Sequence, residues 1–170
     1  MNSKTIVLLA VTSIAIAGCA TKRDRLPPDP MGTPGGNGQQ GGGQPGPGYA
    51  QGSQQDFLAN TASDRIYFDT DRFDVDAEDA ETLRSQARWL ARYPNTRVTI
   101  EGHADERGTR DYNLALGERR ANAAKNSLAS MGINAARIST ISYGKERPEA
   151  MGSDEASWAR NRRAVSVTVR

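Results

Sequence analysis

Gly102-His103-Ala104-Asp105-Glu106-Arg107-Gly108-Thr109-Arg110-Asp111-Tyr112-Asn113-Leu114-Ala115-Leu116-Gly117-Glu118-Arg119-Arg120 runs out of one kind of periodicity and into another. Just before it, Arg97-Val98-Thr99-Ile100-Glu101 alternates, with Val98 and Ile100 on one side, as a half-buried strand does. From about Asp111 to Ser130 the spacing becomes helical, with Tyr112, Leu116, Ala123, Ala124, Leu128 and Met131 roughly along one side. Gly132 suits the residue just past that helix, where a left-handed backbone is common. A strand followed closely by a long helix is the seed of an α/β fold.

The same alternation extends outward in both directions. Arg65 to Asp69 is short and β-prone. Asp76 is placed to cap a helix carrying Ala80, Leu83, Ala87, Leu90 and Ala91, which Pro94 and Asn95 end. Ile138 to Tyr143 reads as a third strand and Glu155 to Arg160 as a short helix. Ala164 to Val169 is the last strand, with Val165, Val167 and Val169 alternating. The order β-α-β-α-β-(α)-β predicts a sandwich of helices packed on one mixed sheet. Trp89 and Trp158 are expected to be core or partly buried aromatic residues.

Everything before residue 63 has a different composition. Residues 1–18 read as a secretory signal: Lys4, an apolar stretch from Ile6 to Ile16, then Ala17-Gly18 as small residues before a cleavage point. The apolar stretch is shorter than the ~20 residues that span a bilayer. Cys19, the only cysteine, follows at once, so no disulfide can form within one chain. Residues 19–62 hold six of the eight prolines and ten of the seventeen glycines, with Gln39, Gln40, Gln44, Gln51, Gln54 and Gln55 among them. Such a segment buries too little apolar surface to offset chain entropy and is expected to be a disordered tether. Residues 63–170 are expected to form the one folded domain. The net charge of +2 gives no basic footprint for nucleic acid.

The loop and helix of the opening stretch also carry the chemistry. Asp105 lies in a strand-to-helix turn, and Arg120 lies two helical turns past Asn113, on the same face. Asp accepts from an ammonium, and the planar fork of Arg holds a carboxylate, so the pair suits a zwitterionic ligand. The spacing fits a structural Asp105–Arg120 ion pair equally well. Gly117 costs a helix about 1 kcal/mol relative to Ala; either it serves the close approach of a ligand or neighbouring chain, or it is simply tolerated. His103 is the only histidine, too few donors for a metal site. No serine stands in a nucleophile turn, so catalysis is not expected. Asp71, Asp74 and Asp76 lack the glycine and terminal glutamate of a calcium loop. No cofactor is implied. Asn161-Arg162-Arg163 ends the short helix, facing either solvent or the same pocket.

Four separated motifs then occur in order: Gly102-His103-Ala104-Asp105, Tyr112-Asn113 with Leu116-Gly117-Glu118-Arg119-Arg120-Ala121, Ser142-Tyr143-Gly144-Lys145-Glu146-Arg147-Pro148, and Asn161-Arg162-Arg163-Ala164. Together they resemble the OmpA-like peptidoglycan-binding domain family over residues 63–170. The resemblance implies a ligand, the diaminopimelate of uncrosslinked peptidoglycan stems, held chiefly by Asp105 and Arg120. It implies that Asn113, Leu116 and Asn161 line the pocket and that Thr70 and Asp71 border it. It leaves open whether Arg162 or Arg163 faces the ligand. Ile16-Ala17-Gly18-Cys19 resembles a bacterial lipobox, which implies lipidation at Cys19, and Ala20 after it favours the outer membrane. The lipobox, tether and single domain resemble the lipoprotein members of the family. That implies a structural, non-enzymatic protein in the Tol system, with TolB and other Tol-system proteins as partners beside the wall. The competing expectation is a periplasmic module whose main ligand is another protein.

Overall fold

The structure, a computed structural model, describes residues 48–169. The expected signal, the Cys19 lipobox and most of the expected tether therefore lie outside the described residues. Within them no helix is long and apolar enough to cross a membrane.

The first described element falls inside the segment expected to be linker. Residues Gln54–Asn60 form a helix, α1, capped by Ser53, whose hydroxyl accepts the Asp56 N–H. Three side chains bind it to the domain, Asp56 through the Tyr93 hydroxyl and two more strongly. Phe57 is fully buried, edge-on to Trp89 with ring centroids 4.9 Å apart. Gln54 Nε2–H donates to Ser166 O, and its Oε1 accepts from Thr168 N–H and Oγ1–H. Folding thus begins before residue 63. One buried aromatic, one well-placed amide and one carboxylate order a short helix in a glycine-rich neighbourhood.

The remaining elements follow the expected order. They are β1 (Arg65–Tyr67), α2 (Ala77–Arg92), β2 (Arg97–His103), α3 (Arg110–Ser130), a 3₁₀ turn at Ala135–Arg137, β3 (Ile138–Gly144), α4 (Glu155–Asn161) and β4 (Arg163–Val169). Asp76 caps α2 by accepting the Asp79 N–H, and Gly132 follows α3 at φ +93°. The four strands form one sheet in the order β1-β4-β2-β3. β2 and β3 are parallel, and β4 runs antiparallel to both β1 and β2, so the sheet is mixed. α3 supplies the crossover that two parallel strands require.

The core lies between the sheet and α2 and α3. Ile66, Val98, Ile100, Ile138 and Ala164 meet Leu83, Ala87 and Leu90 of α2 and Ala121, Ala124 and Leu128 of α3. In β4 the alternation is as expected, but the valines point away from this core. Ile100 pairs with Ser166 and Gly102 with Ala164, and paired residues share a face. So Ala164, Ser166 and Thr168 face the helices, and Val165, Val167 and Val169 share the opposite face with Thr99 and Glu101. Ser166 Oγ–H donates to Gln86 Oε1 of α2, a buried bond that a valine could not make.

The small residues on the helix side have a steric cause. A Cβ on Gly102 would lie 1.8 Å from Gly117 O, and one on Gly117 would lie 2.4 Å from Ser142 Oγ and 2.9 Å from Gly102 O. Strand β2 and helix α3 therefore touch backbone to backbone. Gly102 stands three residues before Asp105, and Gly117 three before Arg120.

Candidate functional site

The end of β2 leads into a loop that is fastened on both sides. Ala104 N–H donates to Gly144 O of β3 at 2.8 Å. Asn113 Nδ2–H donates to Arg107 O at 2.7 Å, and Lys145 Nζ donates to Glu106 O and Gly108 O. Gly108 turns the chain at φ +86°, and Thr109 caps α3 by accepting the Tyr112 N–H. Facing this loop is the segment after β1. Phe68 N–H donates to Arg162 O, and Arg72 N–H closes a turn on Asp69 O. Asp71 sits there at φ +57°, a left-handed backbone that Asp tolerates better than most residues.

Between loop and segment lies a cavity of about 250 Å³ lined by Thr70, Asp71, Ala104, Asp105, Arg107, Gly108, Tyr112, Asn113, Leu116 and Arg120. Six of the seven residues singled out in the sequence for a ligand site meet there. The seventh, Asn161, lies outside the lining. Its Oδ1 accepts from Glu149 N–H and Ala150 N–H and its Nδ2–H donates to Ala150 O. Three hydrogen bonds of its amide pin the 149–150 backbone, so the structure places it as a brace for a neighbouring loop.

Arg120 is completely buried, yet it makes no ion pair with Asp105. Nε–H donates to Arg72 O, Nη1–H to His103 O and Nη2–H to Asp69 O, at 2.8–3.0 Å. Three of its five N–H donors thus go to main-chain carbonyls, and two remain. Burial lowers its guanidinium to about 10, against the raising influence of Asp105, and it stays charged at neutral pH. This is a cation held in place without a carboxylate of its own. Phe68 covers it, with the guanidinium carbon 5.2 Å from the ring centroid.

Asp105 is 6% exposed. Burial alone would raise its carboxyl, but bonds from Arg107 and Arg162 overcome this and hold it below the usual carboxylate range. Arg107 closes an Asx-type turn through its main-chain N–H to Oδ1 at 3.1 Å and adds Nε–H to Oδ1 at 3.1 Å and Nη2–H to Oδ2 at 2.6 Å. Arg162 Nη1 lies 3.5 Å from Oδ2, with its Nε–H on Phe68 O and its Nη2–H on Glu155. The choice left open between the two arginines is thereby made by geometry. Arg162 meets the site, and Arg163 faces the opposite side of the sheet, its Nε 3.2 Å from Glu149 and its Nη2–H on Arg147 O.

Arg107 is the residue that the sequence reading passed over. Its signal was present: Asp, any residue, Arg, Gly is a natural Asx turn, and a turn of that type brings the third side chain back over the first. Tyr112 stands 43% exposed at the rim, off the buried side of α3, its OH 3.3 Å from Asp71 Oδ1. His103, whose main-chain oxygen receives Arg120, turns its own ring away from the cavity. It is 2% exposed, 5.6 Å from the Tyr143 ring, and neither ring nitrogen has a hydrogen-bond partner among the described residues. No group of three or more His, Cys, Asp or Glu able to hold a metal occurs among the described residues.

Comparison with known proteins places this arrangement. The OmpA family pattern matches residues 67–162. The peptidoglycan-associated lipoprotein of Agrobacterium fabrum (strain C58) is 50% identical over 161 residues, covering 95% of this chain and 85% of that one. That of Rhizobium meliloti (strain 1021) is 50% identical over 162 residues, covering 95% and 86%. Among solved structures, the peptidoglycan-associated lipoprotein from Burkholderia pseudomallei aligns with a TM-score of 0.63 at 42% identity, covering 67% of this chain and all of that one. The C-terminal domain of Helicobacter pylori MotB, at 18% identity and a TM-score of 0.59, shares the fold. The chain belongs to the OmpA family, and within it to the peptidoglycan-associated lipoproteins.

Proposed function

We propose that the domain grips uncrosslinked peptide stems of peptidoglycan without covalent chemistry. In this reading the cavity takes diaminopimelate, with a ligand carboxylate on Arg120 and a ligand ammonium on Asp105. One observation carries it: two buried groups of opposite charge line one cavity without pairing with each other, and Arg120 keeps two N–H donors unused. Thr70, Asp71, Asn113 and Leu116 shape the walls, and Asn161 supports from outside. Lipidation at Cys19 would fix the other end of the chain in the outer membrane, facing the periplasm, with the segment up to α1 as tether. Many tethered copies raise the effective concentration, so modest affinity per site holds membrane to wall. Work within the Tol-Pal system, with TolB as a partner and a part in constriction at division, belongs to this reading through the family.

The test is co-sedimentation of the full chain with purified sacculi, wild type beside Asp105→Asn, with free diaminopimelate as competitor. Wild type should pellet, the variant should not, and diaminopimelate should release the wild type. An Asp105→Asn protein that pellets like wild type would remove the site from the reading. A second reading, a partner-binding module, has its own observation. Phe73 and Tyr112 are 45% and 43% exposed with Arg119 over both rings, an aromatic rim beside the cavity of the kind partners use. Wild type remaining in the supernatant would favour it.

A further inference from the structure

Without a ligand, the carboxylate of Asp105 is already taken. Oδ1 and Oδ2 both receive the Arg107 side chain, and the Arg107 main-chain N–H adds a third bond. An ammonium entering the cavity would meet a carboxylate whose oxygens are spoken for. Of the two arginines around Asp105, only one is free to leave. Arg162 has a side chain 7% exposed and is anchored on Phe68 O and Glu155. Arg107 has a side chain 39% exposed. Its remaining contacts are a 3.3 Å bond to Thr70 Oγ1 and the face of the Trp158 ring, 4.2 Å from the guanidinium carbon. Trp158 is itself oriented by donating Nε1–H to Glu106 Oε1 at 3.0 Å.

We propose that Arg107 is a tethered competitor for the ammonium half of the site: its guanidinium occupies Asp105 when no stem is bound, and a stem binds by exchanging its own cation for it. The proposal rests on the stem-binding reading above. The exchange conserves charge, because one cation replaces another against the same carboxylate. A ligand with no ammonium has nothing to offer Asp105 and leaves the Arg107–Asp105 pair closed. A bidentate Arg–carboxylate contact is among the stronger polar pairs, so vacating it lowers the affinity any stem can reach and keeps binding reversible. The main-chain N–H bond stays in place during the exchange, so the turn that positions Asp105 does not have to open.

The experiment is calorimetric titration of the full chain in detergent micelles with the diaminopimelate-containing tripeptide stem. Wild type is compared with Arg107→Met, which keeps an unbranched side chain and loses the charge. Arg107→Gln guards against a folding defect, and circular dichroism checks both variants. Arg107→Met should bind the stem at least threefold more tightly than wild type. In wild type, the Arg107 Nε–H resonance should be slowly exchanging without stem and lose that protection on its addition. Equal or weaker binding by both variants, or an Arg107 resonance unmoved by a stem that does bind, overturns the competitor role while leaving the wall reading intact. A wild type that binds no stem beside an Arg107→Met that does would be the strongest support. If neither binds, the wall reading falls and this proposal falls with it.

Discussion

Replacing Gly102 by alanine tests the contact on which the site's geometry depends. The added methyl would sit 1.8 Å from Gly117 O, a backbone atom in the middle of α3 that no rotamer change can move. Restoring an ordinary 3.4 Å contact needs about 1.6 Å of separation between β2 and α3, far more than close-packed interiors absorb. Overpacking costs roughly 1–3 kcal/mol and occasionally more, and a backbone-to-backbone clash belongs at the upper end, about 3 kcal/mol. Against a total stability of about 5–15 kcal/mol that is a large share. Gly117→Ala should be milder, about 1–2 kcal/mol, because the helix regains about 1 kcal/mol of propensity and part of its clash is with the Ser142 hydroxyl. Urea denaturation followed by the fluorescence of Trp89 and Trp158 together reads both. With a slope of ~1.5 kcal/mol per molar, Gly102→Ala should lower the midpoint by on the order of 2 M. Stem affinity should fall as well, because the same shift moves Arg120 relative to Asp105. A Gly102→Ala protein within about 1 kcal/mol of wild type, binding unchanged, would mean that helix and strand are not in contact and that the site is set some other way.

Three further outcomes follow from other parts of the fold. Arg120→Ala leaves Arg72 O, His103 O and Asp69 O without their donor and should cost about 2–4 kcal/mol by urea denaturation, so its loss of binding would mix two causes; a variant as stable as wild type would refute the bracing role. Burial, then the charge of Arg163, lowers the His103 imidazole to about 4, against about 6.5 in the unfolded chain. The unfolded chain therefore takes up this proton first as pH falls. Stability from His103 is whole above about pH 6.5 and declines by roughly 3 kcal/mol on the way to pH 4. Asp79 works in the opposite sense, raised by burial from 3.8 to about 6, with its stability whole below 3.8 and lost as pH rises through 6. The two offset each other in the wild type, so the quantity to measure is the difference between wild type and His103→Gln across pH 7 to 4; a flat difference would refute the assignment. Phe57→Ala should cost about 3 kcal/mol and raise amide exchange across α1, and an unchanged exchange pattern would show that α1 is not docked.

Much of this architecture was legible because period and caps are local properties. Asp76, Gly132 and the alternation of Val98 and Ile100 announce their elements without reference to the rest of the chain. What stayed hidden was relational. The alternation of β4 is visible, but which side of the sheet it buries depends on its pairing register with β2 and on the Ser166–Gln86 bond to α2. Phe57 lies among residues of tether composition, and only the slot beside Trp89 makes it a core residue. Four of the six candidate site residues that converge, Asp105, Asn113, Leu116 and Arg120, sit in the quoted motifs around the β2–α3 junction, and Thr70 and Asp71 are brought to them by the segment after β1. Asn161 does not join them, since a buried amide looks the same in sequence whether it serves a ligand or a backbone. Of the two arginines after it, Arg162 caps α4 and reaches Asp105, and Arg163 opens β4 with its side chain on the far face of the sheet.

The clasp between α1 and the edge of β4 also bears on mechanics. Any pull arriving from the N-terminal side of the chain reaches α1 before it reaches the sheet. Its hold is three hydrogen bonds of Gln54, the contact of Asp56 with the Tyr93 hydroxyl and one buried ring, and these can be peeled in succession instead of sheared together. Releasing residues 54–64, which also frees Ala62 N–H from Ser85 Oγ, Ser63 O from Gln86 and Asp64 O from Ser166 N–H, would pay out roughly 36–40 Å of chain while β1 to β4 stay paired. We expect a stretching curve taken from that end to show a small early step before the main rupture, and a single abrupt rupture would contradict this. A domain built so yields length first and its grip last, as a mooring line with slack in it does.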